Sequence, residues 1–99
     1  MSFQLRFTLE AKKDLEHLYI FLAENDLGAA KQALETIDKA WGLLEDFPFS
    51  CRKVDSANPF LRELVISFGN SGYVALFEIE DSNTVTILAV RHQRENDYH

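Results

Sequence analysis

The chain is short of cysteine, proline, glycine and cations, and it has no long apolar run. Cys51 stands alone, which excludes a disulfide framework and leads to the expectation of a reducing, cytoplasmic setting. No apolar stretch approaches the ~20 residues of a membrane span, so no membrane partner is expected. The opening Met-Ser-Phe-Gln-Leu-Arg-Phe lacks the basic region and apolar core of a signal peptide. His17, His92 and His99 show no metal-ligand spacing, and one cysteine cannot complete a zinc site, so neither metal nor cofactor is expected. Ten Lys and Arg face sixteen Asp and Glu, a formal charge of −6. That balance argues against a surface built to neutralise many phosphates.

What is present points to one compact domain, residues 1–99, with 46% hydrophobic residues for its core. A chain of this size buries roughly 60–65% of the surface that its unfolded form exposes. The charge is uneven. From Thr8 to Asp46 the acids far outnumber the lysines, whereas Arg52, Lys53, Arg62, Arg91 and Arg94 all follow that segment. A locally basic face on an acidic protein is therefore compatible with the composition.

Phe3, Leu5 and Phe7 alternate with Gln4 and Arg6, the period of a half-buried strand. Thr8 offers an N-cap oxygen, and Glu10 suits the positive end of a helix dipole. Ala11, Leu15, Leu18 and Leu22 then form the stripe of an amphipathic helix over 8–25. Asn25-Asp26-Leu27-Gly28 breaks it with turn chemistry. A second helix follows from about Ala29 to Asp46, with Ala30, Ala33, Leu34, Ile37, Trp41 and Leu44 as its seam and Pro48 as its stop. Small alanines at its start allow close approach of the two helices as a hairpin.

Residues 48–60 hold both prolines and no clean period, and read as a surface loop. Leu61–Phe68 is extended, with Leu64, Ile66 and Phe68 on one face. Gly69-Asn70-Ser71-Gly72 is a turn into a hairpin of two apolar runs, Gly72–Glu80 and Thr84–Arg94, around Asp81-Ser82-Asn83. Both runs are apolar on both faces, which predicts central strands covered on one side by helices. The expected order is β-α-α-β-β-β, an α+β fold with a helical hairpin on a small, mainly antiparallel sheet.

The segments Ala11-Lys12-Lys13-Asp14-Leu15, Glu45-Asp46-Phe47-Pro48, Leu61-Arg62-Glu63-Leu64-Val65 and Gly72-Tyr73-Val74-Ala75-Leu76-Phe77 carry a resemblance, and Ile87-Leu88-Ala89-Val90-Arg91-His92-Gln93-Arg94 carries most of it. In this order they resemble the RelE/ParE toxin superfamily of bacterial type II toxin–antitoxin modules, and ParE more than RelE. The resemblance implies a small cytoplasmic toxin, of modules linked to plasmid stabilisation. It also implies a ParD-like antitoxin whose disordered tail folds along the toxin, with operator DNA met only through that antitoxin. ParE-type members poison DNA gyrase without catalytic groups of their own. RelE-type members are ribosome-dependent mRNA endoribonucleases that use arginines, lysines and a tyrosine. Val74 stands where those nucleases carry an arginine, and Gln93 stands near a second such position.

The candidate target-binding residues are accordingly Arg91, His92, Arg94 and Arg62. If the chain were RelE-like, Arg91, His92, Arg94 and Tyr98 would be catalytic. Uninterrupted strand geometry places Arg91 on the face of Val85, Ile87 and Ala89, with His92 opposite. For Arg62 the competing expectation is a structural pair with Glu63 or Glu78. Arg52 and Lys53 stand next to Cys51, where cations lower a thiol pKa, but the favoured expectation is an inert loop cysteine.

Overall fold

A computed structural model of the chain describes residues 2–68 and 71–93. Its elements in order are β1 (Gln4–Phe7), α1 (Leu9–Asn25), α2 (Leu27–Asp46), a 3-10 turn (Pro48–Ser50), β2 (Arg52–Asp55), β3 (Asn58–Phe68), β4 (Ser71–Ile79) and β5 (Thr84–His92). The strands form one sheet in the order β1-β5-β4-β3-β2, with β1 parallel to β5 and the other neighbours antiparallel. The α+β architecture expected from the sequence is present, with the helical hairpin on one sheet face.

Local chemistry explains the helix limits. Thr8 caps α1, its Oγ1 accepting the Ala11 N–H at 3.1 Å. Asp26 both ends α1 and caps α2, accepting the Gly28 and Ala29 N–H groups at 2.9 and 3.2 Å. Helix α2 therefore starts at Leu27, two residues before the expected Ala29, because one aspartate serves as the whole link. Ala30, Ala33, Ile37, Trp41 and Leu44 are the buried residues of α2. The Trp41 ring meets Phe7 edge-on at 5.3 Å.

The inner sheet face is fixed by register. Leu64, Ala75 and Val90 lie in one row, and Ile66, Tyr73 and His92 in the next. Leu5 and Phe7 continue this face beside Val85 and Ile87. Glycine is demanded at position 72, where a Cβ would collide with the Ile66 carbonyl oxygen and meet Gln93 Oε1 at 3.0 Å. Residues 69 and 70 of the expected turn lie outside the described residues.

Residues 48–60 are not the expected loop. They hold the 3-10 turn, the edge strand β2 and the start of β3. The signal was hidden because the β2–β3 ladder is irregular: Lys53 pairs with Arg62 and Asp55 with Asn58, leaving Pro59, Phe60 and Leu61 opposite Val54. Arg62 repairs the irregularity. It is only 8% exposed, and its Nε donates to the Pro59 carbonyl at 2.7 Å while Nη1 donates to the Phe49 and Cys51 carbonyls, each at 2.8 Å. The expected pairing of Arg62 with Glu63 or Glu78 is thus replaced by three backbone acceptors. Cys51 is buried as well, and burial raises its pKa against the smaller lowering effects of Arg62 and Ser50. Arg52 and Lys53 do not activate it.

Two measurements test this packing. Trp41→Ala should destabilise the chain by about 3–5 kcal/mol in urea unfolding, and an unchanged midpoint would contradict its place in the core. Burial also raises Tyr73 above its ordinary pKa of 10.0, as it raises Cys51 above 9.0. Both groups are neutral when folded, so their contribution is fully present below the ordinary values and is lost as pH rises through the folded ones. Stability should therefore fall from about pH 9 upward, and Cys51→Ala should remove part of the fall at its lower end.

Candidate functional site: a cleft between the first helix and the last strand

Strand β1 is too short to cover β5. Their pairing stops at Phe7 and Ile87, and α1 takes over the edge from there. Thr8 N–H donates to the Ile87 carbonyl at 3.1 Å, and Thr8 Oγ1 donates to the Leu88 carbonyl at 3.1 Å. Six residues further along the chain, Asp14 Oδ2 accepts the Val90 N–H at 2.9 Å. Side chains of a helix thus satisfy backbone groups that a longer β1 would have paired.

This stretch of β5 is irregular. Phe77 pairs with Ile87, but Leu76 pairs with Ala89, so Leu88 is an extra residue. Such a bulge exchanges the two faces beyond it. Val90 and His92 therefore join the inner face, while Ala89 and Arg91 turn outward. The expected grouping of Arg91 with Val85 and Ile87 is corrected by this one residue.

The candidate residues consequently separate. His92 faces α1, with its ring edge-on to Tyr73 at 5.7 Å. Arg91 lies on the outer face with 15% of its side chain exposed, its Nη2 3.8 Å from Glu63 Oε2. Arg91 Nη1 also donates to the His92 carbonyl at 3.2 Å. Glu63 is shared: Arg52 Nε donates to its Oε1 at 3.0 Å. Val74, beside Arg91 in the adjoining strand, is 1% exposed. Arg62 is two strands away and turned inward. Arg94 and Tyr98 lie outside the described residues.

Between α1 and β5 opens a cleft of about 650 Å³, lined by Asp14, His17, Leu18, Phe21, Val90, Arg91 and His92. Leu18 and Val90 give it an apolar lining, and Phe21 stands 64% exposed beside it. The four helical residues were not singled out from sequence, although 14, 17, 18 and 21 have the spacing of one helix face. Among the described residues no group of three His, Cys, Asp or Glu is arranged to hold a metal ion. An apolar channel with a polar rim suits the side chains of a peptide, the way an amphipathic segment enters a groove.

Comparison with known proteins assigns the chain to a family. The model of the ParE toxin of type II toxin–antitoxin systems, parDE, matches residues 5–97. The chain belongs to the ParE toxin family. It is 31% identical over 83 residues to Toxin RelE1 of Caulobacter vibrioides, covering 84% of this chain and 86% of that protein. It also superimposes on a chain of the chromosomal ParDE TA system from P. aeruginosa with a TM-score of 0.72. The identity there is 20%, over 92% of this chain and 96% of the other, so that likeness speaks for the fold. No helix among the described residues of this ParE-family toxin is long and apolar enough to cross a membrane.

The link between helix and strand makes a prediction. Asp14→Ala should leave the Val90 N–H without its carboxylate, costing about 1–3 kcal/mol and speeding amide exchange at Val90 more than at Ile87. Asp14→Asn keeps an acceptor oxygen and should recover most of the protection. Equal exchange at Val90 in all three proteins would show that the contact contributes nothing.

Proposed function

We propose that this ParE-family toxin acts on DNA gyrase, holding the enzyme with its cleaved DNA, and that a ParD-like antitoxin silences it by laying an apolar segment in the α1–β5 cleft. The observation that carries the first half is the state of the outer face. Where the resemblance to ribonucleases calls for an arginine there is Val74, buried, and the neighbouring Arg91 shares Glu63 with Arg52. A transition-state cation with a carboxylate beside it stabilises developing phosphate charge poorly, and removing one such donor typically lowers rates by about two or three orders of magnitude. Gyrase poisoning needs surface recognition and no such group. An acidic chain also suits a protein target better than bare nucleic acid, with operator DNA reached only through the antitoxin.

The antitoxin half rests on the exposed Phe21 beside the cleft and on the cleft's apolar lining. A disordered segment loses conformational entropy as it binds, so tight neutralisation requires a long wrapped contact that includes this cleft.

A second reading has one observation in its favour, the name of the relative RelE1. Under it the chain would cut translated mRNA through Arg91, His92, Arg94 and Tyr98. Purified gyrase titrated with the toxin, without antitoxin, separates the two. The expected outcome is loss of supercoiling and accumulation of linear, protein-linked DNA. Unchanged supercoiling at large molar excess, together with codon-phased cuts that vanish in Arg91→Ala, would replace this reading with the ribonuclease.

A further inference from the structure

A second group of exposed apolar side chains lies where α2 ends. Leu43, Phe47, Phe49 and Phe60 are 41%, 62%, 51% and 49% exposed. They come from α2 and its C-cap, the 3-10 turn and the irregular start of β3. The backbone beneath them is fixed. Phe47 N–H donates to the Leu43 carbonyl at 2.6 Å, and Ser50 Oγ donates to the Phe47 carbonyl at 2.7 Å. Phe60 N–H donates to Asn58 Oδ1 at 3.1 Å, and Arg62 ties the carbonyls of Pro59, Phe49 and Cys51 together. Phe49 and Phe60 meet edge-on at 6.3 Å. These rings are thus presented by a rigid frame that does not bury them, and such a patch on a small protein marks an interaction site.

The charge around the patch selects the partner. Glu45 and Asp46 occupy the last turn of α2, and no basic residue accompanies them there. Two carboxylates at the negative end of a helix dipole are unfavourably placed in the isolated chain, and a cation brought by a partner relieves both. The aromatic side has the same preference: the Arg62 guanidinium already sits 5.2 Å from the centre of the Phe49 ring. Of the cations on neighbouring β2, Arg52 is held by Glu63, and Lys53 pairs in register with Arg62.

We propose that this aromatic–acidic patch is a docking surface for a protein segment that carries arginine or lysine among apolar side chains. The apolar residues of that segment cover Leu43 and Phe60, and its cations stack on Phe47 or Phe49 while pairing with Glu45 and Asp46. The surface shares no residue with the α1–β5 cleft. The inference therefore holds whichever target the toxin has, and it allows both surfaces to be occupied at once.

The test uses two synthetic helical peptides with the same leucine spacing, one with arginine at its polar positions and the other with glutamate, titrated into the isotope-labelled full chain. The arginine peptide should shift amide signals across residues 43–60 and leave those of Val90 and Arg91 in place. Phe47→Ser, at a residue exposed enough to spare the fold, should weaken binding about tenfold or more. The double change Glu45→Gln with Asp46→Asn should weaken it similarly and flatten its salt dependence. Equal binding of the glutamate peptide, shifts centred on the cleft, no shift with either peptide, or wild-type affinity in both variants would each overturn the proposal. So would patch signals that move with chain concentration alone, which would make the occupant a second copy.

Discussion

The structure depends on how α1 is fastened to the second half of β5. A four-residue β1 leaves that half without a strand partner on the edge away from β4, and backbone groups stranded beside a helix would be costly to bury. Thr8 and Asp14 resolve this. Thr8 caps its own helix and donates its hydroxyl to the Leu88 carbonyl, while Asp14 accepts the Val90 N–H. Because the fastening falls around an extra residue at Leu88, the helix and the bulge define each other's position. Shifting either by one residue would break both contacts and exchange the sheet faces.

The functional geometry follows from that arrangement. The bulge sends Arg91 outward to Glu63 and His92 inward to Tyr73, so two adjacent residues serve opposite sides of the sheet. The cleft opens between α1 and this part of β5, with Asp14 and Val90 both in its lining. In a regular strand Arg91 would have followed Val85 and Ile87 inward, and its guanidinium would have required neutralising within the core.

Much of this was legible in the sequence, and what was missed has a physical reason. The alternation of Phe3, Leu5 and Phe7, the stripe through Ala11 and Leu15, the seam through Ile37 and Trp41 and the two apolar hairpin runs gave the helices and central strands, because their periods match the burial they produce. The Thr8 cap was visible because capping is a local event. The Leu88 bulge was not, since Thr86 to Val90 reads equally well with or without an extra residue; only the partner strand reveals the slip. The β2–β3 ladder was lost for a related reason, as Pro59 and an irregular register erase the period of two. The cleft wall on α1 escaped notice because Asp14, His17 and Phe21 read as parts of a solvated helix face until β5 is set beside them. Arg62 looked like a surface cation because its three acceptors are carbonyls, which no side-chain pattern announces.

The disposition of charge bears on the proposed protein partners. Three of the arginines after Asp46 are engaged within the molecule: Arg62 on three carbonyls, Arg52 on Glu63, and Arg91 on Glu63 and the His92 carbonyl. These arginines therefore do not build a basic surface, and the acids of α1 and α2 other than Asp14 are exposed. A chain arranged in this way has little with which to neutralise a phosphate backbone. It does have exposed large apolar side chains, among them Phe21 at the cleft and the phenylalanines beyond α2. Burying such side chains against a protein is favourable in proportion to the area removed from water, and the surrounding acids and cations then set which protein fits. Folding engages three of these arginines and leaves Phe21, Phe47, Phe49 and Phe60 exposed, which supports the proposed protein partners over nucleic acid.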